Sequence, residues 1–427
     1  MAKLKRELGL ASATVMGISV IVGAGIYSII GAAAGIAGSG VWLSFLVAAF
    51  VALLTGLSYA ELSSMFPQSG SSFTYVFKGL GSSLLGFITG WLILFEAVVG
   101  AAAIAIAFGN YLASIFAFPV IPAAFLCILF FSAINMAGIR ESMTANTLMF
   151  ILEVGGLLFV IAAGFLFGTA QPRLMDFQAT SVLAGAALVF FAMLGFEMIA
   201  SESEEAKDAR HTIPKAIVLS IIICAFLYVA FSVASLMLVG PETLGSSTAP
   251  VKDVVYPLLG KYAFIFSIIA IASTGNTVLI CLITASRLSY GMAKENSLPS
   301  FLSAINKRFR TPHMAVLASF LIAAAFLLLT DMVVIAEVTN FAALLAFFLI
   351  NASAVKLRLD RPGEKRPFKM PFAVSNVPLP ALLGAFASLF LIAYLSIDSI
   401  IYGTGLTALG AAVHLLMQKG KIASSAV

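Results

Sequence analysis

Three glutamates lie deep inside apolar stretches, where a carboxylate is costly and is a functional candidate by default. They are Glu96, Glu153 and Glu197. For Glu96 and Glu153 no lysine or arginine is expected at that depth, so each of these two is either protonated or holds a bound cation, which suggests coupling to H⁺ or Na⁺. The structural alternative is a buried acid that only hydrogen-bonds a neighbouring helix. Glu61 and Glu337 fall nearer the ends of apolar runs, which favours an interfacial or capping role.

A glycine-rich stretch at residues 17–31, GISVIVGAGIYSIIG, offers backbone groups for binding. Gly23, Ala24 and Gly25 place almost no side chain at the centre of a membrane-length segment. Glycine costs helix stability, and its missing side chain lets backbone meet a ligand. We predict a broken helix whose free N–H groups bind a carboxylate and whose free C=O groups bind a cation. The alternative is that these small residues only let another helix pack closely.

Two later segments also carry polar or small residues at depth. Residues 192–197, AMLGFE, form a second weak helix centre. Residues 273–277, STGNT, hold hydroxyl and amide oxygens that could bind a cation, although serine and threonine often hydrogen-bond back to their own helix.

The composition indicates a membrane protein with many spans. Hydrophobic residues make up 61% of the 427 residues, charged residues 10%, and the mean hydropathy is +1.08. An average soluble domain has about 25% charged residues, so soluble classes are excluded. The three cysteines are scattered through apolar runs, so neither a disulfide framework nor a metal site is predicted. The net charge of +5 does not indicate nucleic-acid binding, because the basic residues follow loop position.

Hydropathy predicts an all-α polytopic membrane protein with twelve transmembrane helices. With the basic amino terminus in the cytoplasm and no cleaved signal, only Arg173, Lys252 and Lys261 of the 24 lysines and arginines fall outside. The positive-inside rule therefore predicts that both termini are cytoplasmic, in a multi-pass protein of the cell membrane. The predicted spans are 10–36, 41–65, 83–110, 119–138, 145–168, 179–202, 214–240, 256–292, 314–330, 332–356, 378–397 and 399–418.

The whole chain, 1–427, is interpreted as one transporter domain with an internal repeat. Five spans in 10–172 and five in 179–356 would have opposite orientation, and each half opens with an interrupted span. Paired interrupted helices point to a site at the membrane midplane. Residues 378–418 would add two accessory helices after a basic, proline-rich connector at 357–377.

Five motifs, in order and at family spacing, resemble the amino acid–polyamine–organocation superfamily, near its cationic amino acid transporter-like branches. The resemblance extends over all twelve predicted spans. The motifs are GISVIVGAGIYSIIG at 17–31, SYAELSSMFPQSGSSFTYV at 58–76, GWLILFEAVVGAAAIA at 90–105, FFAMLGFEMIASESEEAKDARHTIPKAI at 190–217 and ASRLSYGMAKENSLPSFLSAINKRFRTP at 285–312.

This resemblance implies a leucine-transporter-like fold: five plus five inverted repeats with spans 1 and 6 broken, and two added helices. It implies that the N–H groups of Ala24 and Gly25 bind a substrate carboxylate. The Phe191 ring would close over the substrate, and Met193 would shape the side-chain pocket. The implied ligands of the substrate ammonium are the carbonyls of Ile21, Phe191, Ala192 and Leu194.

One departure from the family concerns ion coupling. Many such permeases carry a lysine in span 5 that substitutes for a sodium ion, and here the matching residue is Glu153. Beside the carbonyls of Ser19 and Val22, this carboxylate could hold a cation, with help from Ser273 or Thr274. Protonated, it could instead donate a hydrogen bond to one of those carbonyls. Glu96, near the implied site, is a second candidate for coupling or for holding a cationic substrate.

The function we expect is a secondary active transporter of amino acids, working by alternating access and coupled to H⁺ or Na⁺, with no other cofactor. Amino acid exchange or polyamine transport remains open, and the oligomeric state is not predicted. A membrane-embedded enzyme would need a nucleophile and base or metal ligands at depth, and the three histidines all lie at or near predicted cytoplasmic ends. A nutrient sensor is a remote alternative. The expected partners are an amino acid and the lipid bilayer, not nucleic acid.

Overall fold

The computed structural model describes residues 8–23, 25–67, 71–138, 143–204, 206–295, 297–306, 308–329 and 331–425. In this part of the chain nearly all regular structure is helical. The helices are α1 (Leu10–Val22), α2 (Gly25–Ala37), α3 (Val41–Met65), α4 (Ser71–Leu80), α5 (Ser83–Phe116), α6 (Val120–Met136), α7 (Met143–Phe167), α8 (Ala179–Val189), α9 (Phe196–Ser201), α10 (Ala209–Ser246), α11 (Pro250–Leu259), α12 (Phe264–Lys294), α13 (His313–Phe326), α14 (Met332–Asp360), α15 (Leu379–Ile392) and α16 (Ile397–Ser425).

The connector between α14 and α15 contains a small antiparallel hairpin. Its strands are β1 (Ala373–Val374) and β2 (Val377–Pro378), with Val374 paired to Val377. The turn uses Ser375 and Asn376, both with positive φ, a conformation that asparagine tolerates better than most residues.

Eight helical runs in the described residues are long and apolar enough to cross a membrane, and four shorter apolar helices accompany them. The chain is therefore an all-α, multi-pass membrane protein, as predicted. The central helix is α5. Almost every residue in its most apolar stretch is buried, and the helix packs against α6, α12 and α14. Ser82 caps its first turn by accepting a hydrogen bond from the Leu85 N–H at 3.3 Å.

Helix bounds agree with the predicted spans in places and differ in others. Helix α3 has the bounds predicted for the second span. The predicted span at 256–292 begins too early, because Gly260 has a positive φ of 51° and separates α11 from α12. A left-handed glycine ends a helix readily. The predicted loop after α3 also contains α4.

The two interrupted helical segments lie side by side. Helices α1 and α2 contact α8 and α9, and α10 packs against α1, α2 and α9. Helix α12 contacts α2 and packs closely on α5. This arrangement brings residues from both halves of the chain around one point.

Candidate functional site

The first helix break lies where the glycine-rich stretch predicted it. Helix α1 ends at Val22 and α2 begins at Gly25. Gly23 has φ −3° and ψ −120°, which is not helical, and its carbonyl accepts a hydrogen bond from the Ser273 hydroxyl at 2.6 Å. Ala24, predicted to bind the substrate carboxylate, lies outside the described residues.

The second break lies between α8 and α9. A short 3₁₀ turn covers Phe190–Met193, Leu194 is extended, and Gly195 has φ 114°. Residues that have a side chain rarely adopt this φ, so the position requires glycine. A Cβ on Gly195 would also lie 2.7 Å from the Val20 side chain.

The two breaks approach each other closely at Gly25. A Cβ built there would lie 2.6 Å from the Ala192 Cα, a distance that real side chains do not reach. Close packing of the two breaks therefore requires glycine at this position. The prediction of close packing and that of a break were offered as alternatives, and the structure shows both features at once.

A small cavity of about 50 Å³ lies between the breaks. It holds a few waters at most, so the site must open before an amino acid can enter. Five predicted residues line it: Ile21, Gly25, Glu96, Phe191 and Leu194.

Ala192 and Met193 do not line the cavity. The structure instead adds Ile104, Thr277 and Thr339 to its walls. Most of these walls are apolar, and Gly100 leaves space beside the Phe191 ring, which a Cβ at that glycine would approach to 3.9 Å.

Tyr228 of α10 connects the two breaks and was not predicted as a site residue. Its hydroxyl donates to the Ile21 carbonyl at 2.7 Å and lies 3.1 Å from the Ala192 carbonyl. Both carbonyls were implied ligands of the substrate ammonium. A carbonyl has two lone pairs, so each keeps one for a second donor. A lone tyrosine in an apolar span gives no sequence signal for this role.

Glu96 and Glu197 form a buried carboxyl pair. Glu96 belongs to α5 and Glu197 to α9, and their side chains are hydrogen-bonded to each other. The Gly195 N–H donates to both Glu197 oxygens at 3.0 Å. A hydrogen bond between two carboxyl groups requires a proton on one of them. Glu96 Oε2 has no hydrogen-bond partner among the described residues.

No described lysine or arginine pairs with this carboxyl pair. Both side chains are almost completely buried. A proton shared between the two carboxyl groups would neutralise one of their charges. Sequence reasoning identified each acid separately but did not predict the contact.

Apart from Glu96, the residues predicted to bind a coupling ion belong to α1, α7 and α12. The Ser19 hydroxyl is buried and has no hydrogen-bond partner in the described part of the chain. The Ser273 hydroxyl donates to Gly23, as described above. The Thr274 hydroxyl donates to the Ala270 carbonyl of its own helix at 2.7 Å, so the local alternative holds at this residue. Val22 is fully buried at the end of α1.

Glu153 faces the same region from α7. Its side chain is buried and lies within electrostatic range of Tyr27 and Tyr228. The Tyr27 hydroxyl donates to the Glu153 carbonyl at 2.6 Å, which fixes α7 against α2.

The two glutamates near helix ends have structural partners, and Glu61, predicted as an interfacial or capping residue, is a buried ion-pair partner. Glu61 accepts hydrogen bonds from the Arg358 guanidinium and from the Met370 N–H, and Arg366 lies 3.2 Å away. Glu337 accepts from the backbone N–H and the hydroxyl of Ser396.

Comparison with known proteins identifies the family. A model of the amino acid permease family matches residues 8–406. The branched-chain amino acid permease BcaP of Bacillus subtilis is 31% identical, over 91% of this chain and 88% of the relative.

Relatives that are named for other substrates have a similar sequence identity to this chain. The methylthioribose transporter of Bacillus subtilis is 30% identical over 88% of this chain and 86% of its own length. Human cationic amino acid transporter 4 is 30% identical over 90% of this chain and 64% of its own length. The chain therefore belongs to the amino acid permease family of the amino acid–polyamine–organocation superfamily, and it is a transporter rather than an enzyme.

Proposed function

We propose that this protein is a secondary active transporter that carries α-amino acids across the cytoplasmic membrane by alternating access, driven by a proton gradient. The observation that carries the proposal is the meeting of two helix breaks at one small cavity, with backbone groups of both breaks around it. The proposal includes twelve spans in a leucine-transporter-like arrangement, with residues 10–172 and 179–356 as inverted repeats, 378–418 as accessory helices and both termini in the cytoplasm.

Substrate recognition would use the backbone for the groups that all amino acids share. The Gly25 N–H, at the start of α2, would donate to the α-carboxylate, since the first N–H groups of a helix lack intrahelical partners. The Ile21 and Leu194 carbonyls, beside the same cavity, would accept from the α-ammonium. A ligand with both charges satisfies both breaks, which supports a zwitterion over a polyamine.

The side-chain pocket supports a neutral, apolar amino acid. Ile104, Phe191 and the space at Gly100 form its apolar wall. Glu96 would be the natural partner of a cationic side chain, but its hydrogen bond to Glu197 already engages it. This preference agrees with the branched-chain amino acids for which the Bacillus subtilis relative is named.

The Glu96–Glu197 pair would carry the coupling proton. Two buried carboxyl groups in contact hold one proton readily, because two negative charges at that distance repel strongly. The Gly195 N–H links Glu197 to the second break, so a change in proton occupancy alters a contact of the substrate site itself. Proton loss to the cytoplasm would then favour a different arrangement of α9 and release of the substrate.

A sodium site is the second candidate for coupling. The observation that favours it is the buried Ser19 hydroxyl, which has no described partner, in the last turn of α1. The Gly23 carbonyl, just after this helix, accepts a hydrogen bond from Ser273. Glu153 would supply the negative charge. If the protein instead exchanges amino acids without an ion gradient, the Glu96–Glu197 pair and Glu153 would have only structural roles.

Binding by variants at the break tests the proposed site. Gly25→Leu puts a side chain where only 2.6 Å separates a Cβ from Ala192, so substrate binding to the purified protein should be abolished. Gly155→Leu makes the same change at an exposed position of α7 with nothing within 4 Å of the added Cβ, and it should bind normally. Normal binding by Gly25→Leu would refute the site.

A further inference from the structure

A second, much larger cavity lies away from the helix breaks, between α5, α6, α7 and α12. It is bounded by Phe108, Phe131, Met149 and Asn276, one residue from each helix, and we refer to it as the lateral cavity. Its volume is about 600 Å³, which falls within the roughly 300–1,000 Å³ typical of small-molecule sites.

The lateral cavity opens towards the lipid. Two of its lining residues, Leu126 and Phe130 of α6, are 52% and 61% exposed on the surface of the helix bundle. Both belong to an apolar helix of a multi-pass membrane protein. A ligand would therefore enter from the bilayer and not from water.

The walls are apolar except at one point. Four phenylalanine rings line the cavity, and no charged side chain is among its described lining residues. The exception is the Asn276 amide, which is only 9% exposed. No described residue hydrogen-bonds this amide, which lines the open cavity. In apolar surroundings a polar group without a partner costs about 1–3 kcal/mol. A ligand that supplies a hydrogen bond would remove that cost.

The depth of Asn276 restricts the ligand. Helix α12 has 31 residues, and Asn276 lies three residues from its midpoint, within about 5 Å along the helix axis. Phospholipid head groups stay at the membrane surface, about 15 Å from the centre of a bilayer core. A head group therefore cannot reach this amide, and an acyl chain has no group to bond it.

We propose that the lateral cavity binds an uncharged molecule dissolved in the bilayer core. The apolar body of this molecule packs against the phenylalanine rings, and its single hydrogen-bonding group, a carbonyl or a hydroxyl, meets the Asn276 amide. The class is that of ring-containing ketones and alcohols with no charge.

The lateral cavity is separate from the candidate substrate site. Helix α12 forms the wall between them: Thr277, Ile280 and Cys281 line the small cavity, whereas Gly275 and Asn276 line the lateral one. Loss of binding at one site can thus be distinguished from loss at the other, and neither Asn276 nor Ala272 lines the small cavity.

Photolabelling with benzophenone tests the proposal. Benzophenone is a neutral diaryl ketone that partitions into bilayers and inserts into nearby C–H bonds on irradiation. The purified protein in lipid nanodiscs would be irradiated with it, and adducts mapped by peptide mass spectrometry. We expect adducts on α6 and α12 at the lateral cavity. Equal labelling of lipid-facing Phe386, which is 66% exposed on α15, would mean that benzophenone only samples the bilayer and would overturn the proposal.

A matched pair of competitors tests the role of the amide. Diphenylmethanol and diphenylmethane share a shape, but only the alcohol can hydrogen-bond Asn276. One neutral hydrogen bond predicts that the alcohol competes roughly 3- to 10-fold better. Asn276→Leu keeps the branched shape and the number of side-chain heavy atoms, and it should remove this difference. A difference that persists in Asn276→Leu would exclude the amide as the recognition group.

Two further variants control for shape. Ala272→Phe adds a ring to the lateral cavity one helical turn from Asn276, and it should strongly reduce labelling there. Leu383→Phe enlarges a side chain that is 53% exposed on α15, and labelling should remain unchanged. Undiminished labelling of the cavity in Ala272→Phe would show that the adducts form elsewhere.

Discussion

Two groups of buried carboxylates in this protein differ in what neutralises them. At one end of the bundle, Glu61 is held by two arginines and a backbone N–H. In the middle, Glu96 and Glu197 bond to each other without a described basic partner. Arginine neutralises a carboxylate with a permanent positive charge, whereas two acids without a basic partner would need a proton for this purpose. If the proposed function holds, the partner of a buried acid, more than its burial, separates a structural acid from a coupling one.

The structural side of this comparison predicts a large loss of stability. Glu61→Gln leaves the Arg358 guanidinium, only 3% exposed, without its counter-charge. Breaking a buried ion pair in this way costs about 3–5 kcal/mol of the free energy of unfolding. Chemical denaturation in mixed micelles would measure it. Glu364→Gln, which removes the exposed pair with Arg361, should cost at most about 1 kcal/mol.

The free energy of unfolding of Glu96→Gln tests whether the partner of the acid matters. Glu96→Gln replaces an acid that has no basic partner, and glutamine can still hydrogen-bond Glu197. The free energy of unfolding should therefore change much less than in Glu61→Gln. An equal loss in the two variants would mean that burial alone, and not the partner, determines the role of these acids.

The functional side predicts loss of coupling with retention of transport. In proteoliposomes, Glu96→Gln should lose proton-driven accumulation, so that the inside-to-outside substrate ratio falls to about 1, the value without coupling. Exchange of labelled for unlabelled substrate needs no proton and should persist. If Glu96→Gln still accumulated substrate under a proton gradient, the carboxyl pair would have no part in coupling.

Tyr228 provides a third case, because its uncharged hydroxyl contacts backbone carbonyls at both helix breaks. Tyr228→Phe removes the hydroxyl that the Ile21 and Ala192 carbonyls share, so the two breaks should lose mutual orientation. One neutral hydrogen bond predicts an increase of KM of about fivefold, with the proton dependence unchanged. Tyr394→Phe, whose hydroxyl has no partner among the described residues, is the control. A KM like that of the wild type in Tyr228→Phe would make this contact incidental.

Glu153 gives the smallest expected effect. If the carboxyl pair carries the proton, Glu153→Gln should still accumulate substrate under a proton gradient, and uptake should not depend on sodium in either protein. Uptake at several sodium concentrations would show this. Loss of sodium-stimulated uptake in Glu153→Gln would instead move the coupling site to the Ser19 and Ser273 region.

Sequence reasoning could locate the breaks because their cause is local. Gly25 and Gly195 must be glycine where two backbones meet or where φ is positive, and both needs are visible as small residues in apolar spans. Contacts between helices could not be predicted in this way. The Glu96–Glu197 bond and the Tyr228 hydroxyl depend on which helices are neighbours, and no local pattern specifies that. The separation of α11 from α12 at Gly260 was missed although Pro257, Gly260 and Lys261 mark the turn in the sequence.

The most direct test of the account is uptake of labelled neutral amino acids into proteoliposomes that hold the purified protein. Three conditions would be compared: an inward proton gradient, an inward sodium gradient, and neither. Proton-coupled transport predicts accumulation under the proton gradient alone. Accumulation that requires sodium, or uptake that ignores both gradients and needs amino acid inside, would contradict it.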